Sequence, residues 1–108
     1  MAINIQDSKS LMEEIRKRPM MFFGGEARSV SLLAAFLAGI DVAEGFYKVK
    51  TGPRFSGFDW QSFEKAVDQK YNTQRLSINS FGLAKRIKGD EIEAFDLWFA
   101  WYDEFNCE

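Results

Sequence analysis

The chain contains no histidine and only one cysteine, Cys107, among its 108 residues. The first absence removes the side chain that titrates nearest neutral pH, and with it the commonest general base and every His-based triad or metal site. The second means that no internal disulfide and no Cys-based zinc cage can be assembled, which fits a reducing compartment. Long hydrophobic runs are missing too. The most apolar stretch, residues 30–40, is about half the roughly 20 residues that a bilayer span requires, and Asp41 and Glu44 follow it. The segment 1–7 lacks the positive flank and the continuous apolar run of a signal peptide, so the cytoplasm is the expected location and no membrane partner is expected.

The remaining routes to catalysis are thin. Carboxylate pairs occur at Glu13-Glu14, Asp90-Glu91 and Asp103-Glu104, but neighbours along a helix point in different directions and cannot grip one substrate atom together. Glu93 and Asp96 share a face, yet no second ligand cluster completes a cation's shell. Gly24-Gly25 is not followed by the Lys-Ser/Thr ending of a phosphate-binding loop. Cys107 lies in a terminal tail beside acidic residues that disfavour a thiolate. No catalytic residue, cofactor or metal ligand is therefore expected, and the chain is expected to act by binding.

What is present is core-building material. Apolar residues make up 46% of the chain and aromatics 16%, including eleven Phe and three Trp, which argues against intrinsic disorder and for one domain over residues 1–108. Apolar periodicity predicts an all-α fold: a compact bundle of about five helices with a central buried helix. The first helix begins at Ser8 or Ser10, the latter in capping-box spacing with Glu13, and ends by Arg18 because Pro19 disfavours helical geometry before it. Pro19-Met20-Met21-Phe22-Phe23 reads as extended, with Gly24-Gly25 as a stop. Ser29 caps the second helix, which runs to about Phe46 and, being apolar nearly all round, is expected to be the central one. Residues 48–57 read as a loop.

Asp59 caps a third helix with Trp60, Phe63, Val67 and Tyr71 on one face, broken at Asn72-Thr73. A fourth starts at Asn79 or Ser80, turns Leu83, Ala84 and Ile87 inward and stops at Gly89. The last is capped by Asp90 with Glu93 and carries Ile92, Phe95, Phe99 and Tyr102 beside Trp98, Trp101 and Phe105.

Charge is unevenly placed. Residues 1–88 hold fourteen Lys/Arg and nine Asp/Glu, whereas residues 89–108 hold seven Asp/Glu and no base. Wound at about 100° per residue, Glu93, Asp96, Asp103 and Glu104 form an acidic stripe on the last helix. Such a stripe is either a solvated face or a surface built to meet a basic partner, where complementary charge speeds encounter and selects partners. In the second case Trp98 or Trp101, if exposed, would serve as an aromatic anchor. The competing interface is the fourth helix, where Lys85, Arg86 and Lys88 beside Phe81 could contact nucleic acid. Bases in a last helical turn also complement the helix dipole, and the overall pI near 5.2 disfavours a polyanionic partner.

Ile15-Arg16-Lys17-Arg18-Pro19-Met20-Met21-Phe22-Phe23-Gly24 resembles the I-R-x-R-P-G-M-Y-L-G segment near the start of a family of small bacterial helical proteins, some of them immunity proteins of polymorphic toxin and contact-dependent growth-inhibition systems. Gly89-Asp90-Glu91-Ile92-Glu93-Ala94-Phe95-Asp96-Leu97-Trp98-Phe99, leading to Tyr102-Asp103-Glu104-Phe105, is similar to that family's acidic, aromatic final helix, and Gly57-Phe58 precedes the third helix as it does there. Met20 departs from the family's Gly and Phe22 from its Tyr. The resemblance implies an antitoxin that binds the C-terminal domain of a cognate toxin and occludes its active site, as a monomer within a heterodimer. The acidic stripe points to a nuclease, and among nucleases to a ribonuclease. Glu93, Asp96, Asp103, Glu104, Trp98 and Trp101 are the expected contact residues. The alternative is a small nucleic-acid-binding regulatory protein. A shorter R-K-R-P-x-M-[YF] match to the ATPase subunits of type II topoisomerases is local, because residues 32–44 lack the Glu and Asn that activate water and hold magnesium.

Overall fold

The computed structural model describes residues 8–24, 28–47, 58–73 and 78–106. These form six helices and no strand: α1 (Ser8–Lys17), α2 (Pro19–Phe22), α3 (Val30–Tyr47), α4 (Trp60–Tyr71), α5 (Ser80–Lys88) and α6 (Glu91–Asn106). The all-α expectation holds. No helix among the described residues is long and apolar enough to cross a membrane. Residues 48–57, Gly25, Gly57 and Cys107 lie outside the described residues.

Pro19 acts on the chain as expected, but the segment after it does not stay extended. Arg18 leaves the helical region (φ −133°, ψ 60°) and ends α1, and the chain then re-enters a helix with Pro19 in its first turn. Proline's fixed φ suits a first helical position, where its missing N–H has no intrahelical partner to lose. The single turn of α2 closes with the Phe23 N–H donating to the Pro19 carbonyl at 2.9 Å. At the start of the chain α1 already runs from Ser8, so Ser10 lies inside the helix rather than at its cap.

Contacts divide the chain into two units, residues 1–27 with 32–58 and residues 28–31 with 59–108. In the first, Leu11, Met12 and Ile15 of α1 are buried at three- and four-residue spacing, the mark of one inward helix face. Phe36 of α3 meets Phe22 edge-on at 5.4 Å and Phe23 at 6.2 Å. The expectation that α3 is a central buried helix is corrected. Among its described side chains it buries Val30, Leu33 and Leu37, while Val42 is 68% exposed and Ala35, Ala38, Gly39 and Ala43 are exposed as well. The physical reason lies in size: these small side chains add apolar character to the sequence but little area that burial could remove from water.

The second unit is built on α6, whose Ala94, Phe95, Trp98, Phe99, Trp101 and Tyr102 are all buried. Trp98, fully buried, is its centre. Phe81 stacks on it at 5.0 Å and 9°, Tyr102 at 5.7 Å and Trp60 at 5.9 Å, while Phe63 meets it edge-on at 5.3 Å. Caps set the three helix starts. Asp59 accepts from the Ser62 N–H, Asn79 from the Gly82 N–H and Asp90 from the Glu93 N–H, at 3.1, 2.8 and 2.9 Å. Asn72 and Gly89 end α4 and α5 in the left-handed region, with φ of 55° and 69°. Leu83 and Ala84 point inward as expected, but Ile87 is 46% exposed, because it falls in the last turn of α5, where the chain is about to reverse.

Candidate partner-binding surface

The outward arc of α6 carries Glu93, Asp96, Asp103 and Glu104, all exposed, opposite the arc that holds the aromatic core. A helix with one face fully committed to packing presents the other as a firm platform, and here that platform is anionic. Among the described residues, Asp96 and Glu104 are met by bases from elsewhere in the same unit. Arg28 Nη1 sits 2.9 Å from both oxygens of Asp96, and Lys70 Nζ of α4 lies 2.7 Å from Glu104 Oε2. The hydrogen bond from Lys70 to Glu104 raises the lysine's pKa above its ordinary value. The stripe that is unrelieved along α6 is therefore partly neutralised in space.

Trp98 and Trp101 do not belong to this surface, and their expected role as anchors is corrected. Their relative exposures are 0% and 4%, and both indole N–H groups are used internally. Trp98 Nε1 donates to Ser80 Oγ at 2.8 Å, and Trp101 Nε1 donates to the Tyr71 hydroxyl at 3.0 Å. Ser80 Oγ in turn donates to Glu64, whose other oxygen accepts from the Ser80 N–H at 2.7 Å. The wide apolar arc of α6 contains both indoles, so packing claims them before any partner can.

The basic alternative on α5 is also divided by the fold. Lys85 Nζ lies 3.0 Å from Glu91 Oε2, and Phe81 is occupied in the stack on Trp98. Arg86 and Lys88 remain exposed.

Two features were missed from sequence. The first is Glu91, which accepts from Ser29 Oγ (2.8 Å), from the Ser31 N–H (2.9 Å) and Oγ (2.8 Å), and from Lys85. The Ser31 N–H thus meets a carboxylate sixty residues downstream at the N-terminus of α3, where the helix dipole favours a negative charge. The Ser31 backbone hydrogen bond, aided by Lys85, Ser29 and the Ser31 hydroxyl and opposed by burial, lowers its pKa to about 2. One signal was available: wound at about 100° per residue, Glu91 falls on the same line as Trp98 and Tyr102, an acid on the core side. The second is a groove of about 400 Å³ between α4 and α6, with Phe63, Val67 and Trp101 as its buried floor and Lys70 and Glu104 on its rim. No local pattern announces it, since it depends on which faces of two helices meet.

Compared with protein-family models, with curated proteins and with solved structures, the chain matches none.

Proposed function

We propose that this chain is an immunity protein, one that binds the catalytic C-terminal domain of a cognate toxin, a nuclease and by preference a ribonuclease, and neutralises it by occluding the active site. The observation that carries the reading is the exposed carboxylate face of α6, Glu93, Asp96, Asp103 and Glu104, held on a helix whose opposite face is locked into an aromatic core. A nuclease cleft is positively charged because its substrate is a polyanion, and carboxylates placed along a rigid helix can occupy phosphate positions in such a cleft. Arg28 and Lys70 do not oppose this role. Exposed ion pairs are worth roughly 0–1 kcal/mol, so a partner's arginines can exchange with them at little cost. The R-K-R-P-M-M-F segment at residues 16–22 supports the same reading through its resemblance to immunity proteins.

The test is co-purification of the tagged chain with the C-terminal toxin domain encoded by the upstream gene, together with growth of cells expressing that domain with and without this chain. A stable complex and restored growth are expected, both lost when Glu93, Asp96, Asp103 and Glu104 are all changed to Lys. Absence of a complex and of rescue refutes the reading, and so does full binding by the charge-reversed variant.

A further inference from the structure

The short segment through α2 sorts its side chains into two kinds. Phe22 and Phe23 lie against Phe36 of α3, with ring centroids 5.4 and 6.2 Å from it. Met20 and Met21 instead are 60% and 56% exposed, whereas Met12, the third methionine among the described residues, is 1% exposed in the α1 core. The backbone of α2 asks nothing of the two exposed thioethers either. Its turn is closed by the Met21 N–H donating to the Arg18 carbonyl at 3.1 Å and the Phe23 N–H donating to the Pro19 carbonyl at 2.9 Å. Neither burial nor backbone closure accounts for a methionine at either position.

What sets a thioether apart from other apolar groups is its reactivity toward two-electron oxidants. The sulfur lone pair attacks one oxygen of hydrogen peroxide and the O–O bond breaks. That oxygen stays on sulfur as a sulfoxide, and the other leaves as water with both protons. Sulfur is oxidised by two electrons and the peroxide reduced by two. A dithiol reverses the change under sulfoxide reductases, yielding the thioether, a disulfide and water. The sulfoxide is polar where the thioether was apolar, so the reaction disrupts a core. At Met20 and Met21 it meets no core, because α2 is held through Phe22 and Phe23 on Phe36.

We propose that Met20 and Met21 form a reversible oxidation site for peroxide, at which modification turns the exposed apolar surface of α2 polar while the packing of Phe22 and Phe23 persists. The proposal stands apart from the toxin-binding reading and does not draw on it.

The experiment treats the folded full chain with dilute hydrogen peroxide and follows it by tryptic peptide mass. Cleavage after lysine and arginine places Met12 in residues 10–16 and the pair in residues 18–28, apart from Met1 and Cys107. The second peptide should gain two oxygen atoms at least about tenfold faster than the first gains one, because Met12 reacts only when the core opens locally. In concentrated guanidinium the rates should converge. The oxidised chain should keep the parent's far-ultraviolet circular dichroism and elute earlier from a hydrophobic-interaction column. Sulfoxide reductases of both epimer specificities, supplied with a dithiol, should restore mass and retention. The double variant Met20→Leu with Met21→Leu keeps the apolar surface without the sulfurs, so its retention should not shift under peroxide, which separates the pair from Cys107. Equal rates for the two peptides in the folded chain, loss of the helical signal on oxidation of the pair, or the same retention shift in the leucine variant overturns the proposal.

Discussion

Arg28 Nη1 lies 2.9 Å from both carboxylate oxygens of Asp96, sixty-eight residues further along the chain. With Lys70 on Glu104, it places two cations against a helix face that contains none of its own. Both pairs are about half exposed on each side, so they shape the potential of the surface more than the stability of the fold.

Arg28→Ala and Lys70→Ala are each expected to change unfolding free energy by less than about 1 kcal/mol, and less still in high salt, where exposed pairs are screened. Urea titrations at low and high ionic strength check this. A loss above about 2 kcal/mol would show that the pairs hold the fold together.

The Trp98–Ser80–Glu64 chain should behave differently. Ser80→Ala removes the acceptor of a buried indole N–H and the donor to a carboxylate at once, and an unmet buried group costs about 1–3 kcal/mol. Trp98→Ala, which opens a cavity among Trp60, Phe63, Phe81 and Tyr102, should cost about 3–5 kcal/mol. Denaturant unfolding of both variants should give this order, and near-parental stability of Ser80→Ala would contradict the network.

Glu91 makes stability depend on acid. Its carboxyl titrates at about 2 rather than its ordinary 4.5, so its contribution is complete above 4.5 and is lost as pH falls through about 2. The difference in unfolding free energy between the parent and Glu91→Gln should be flat above 4.5 and shrink steadily below it. A difference that persists unchanged down to pH 2 would remove the charge from the explanation.

Gly89 closes α5 at φ +69°, with open space where a Cβ would stand. The cost of Gly89→Ala is thus purely conformational and should be about 1–2 kcal/mol, with Gly89→Asn costing less because asparagine tolerates the left-handed region. Thermal unfolding of the two variants tests the ranking.

Much of the local structure was legible because it depends on near neighbours. Asp59, Asn79 and Asp90 stand at the caps of α4, α5 and α6, and Gly89 at the end of α5, through hydrogen bonds and dihedral preferences that span a few residues. The exposed placement of Glu93, Asp96, Asp103 and Glu104 followed from helical periodicity in the same way. Pro19 shows where this reach ends: its effect on Arg18 was readable, but not the single turn of α2 beyond it, since proline permits both an extended and a first-turn helical course.

Tertiary structure alone decided the rest. Whether an apolar helix is central depends on the area its neighbours cover, and α3, rich in alanine, covers less than its hydrophobicity suggested. Whether an indole anchors a partner or fills a core depends on what lies opposite, and Phe81, Phe63 and Tyr71 lie opposite Trp98 and Trp101. The cations on the acidic face, the carboxylate that caps α3 and the groove floored by Phe63, Val67 and Trp101 all join residues distant in the chain. Charge pattern and periodicity set what each helix can offer; the pairing of those offers is a property of the folded unit, because Coulombic contacts and cavities exist only between surfaces that folding has brought together.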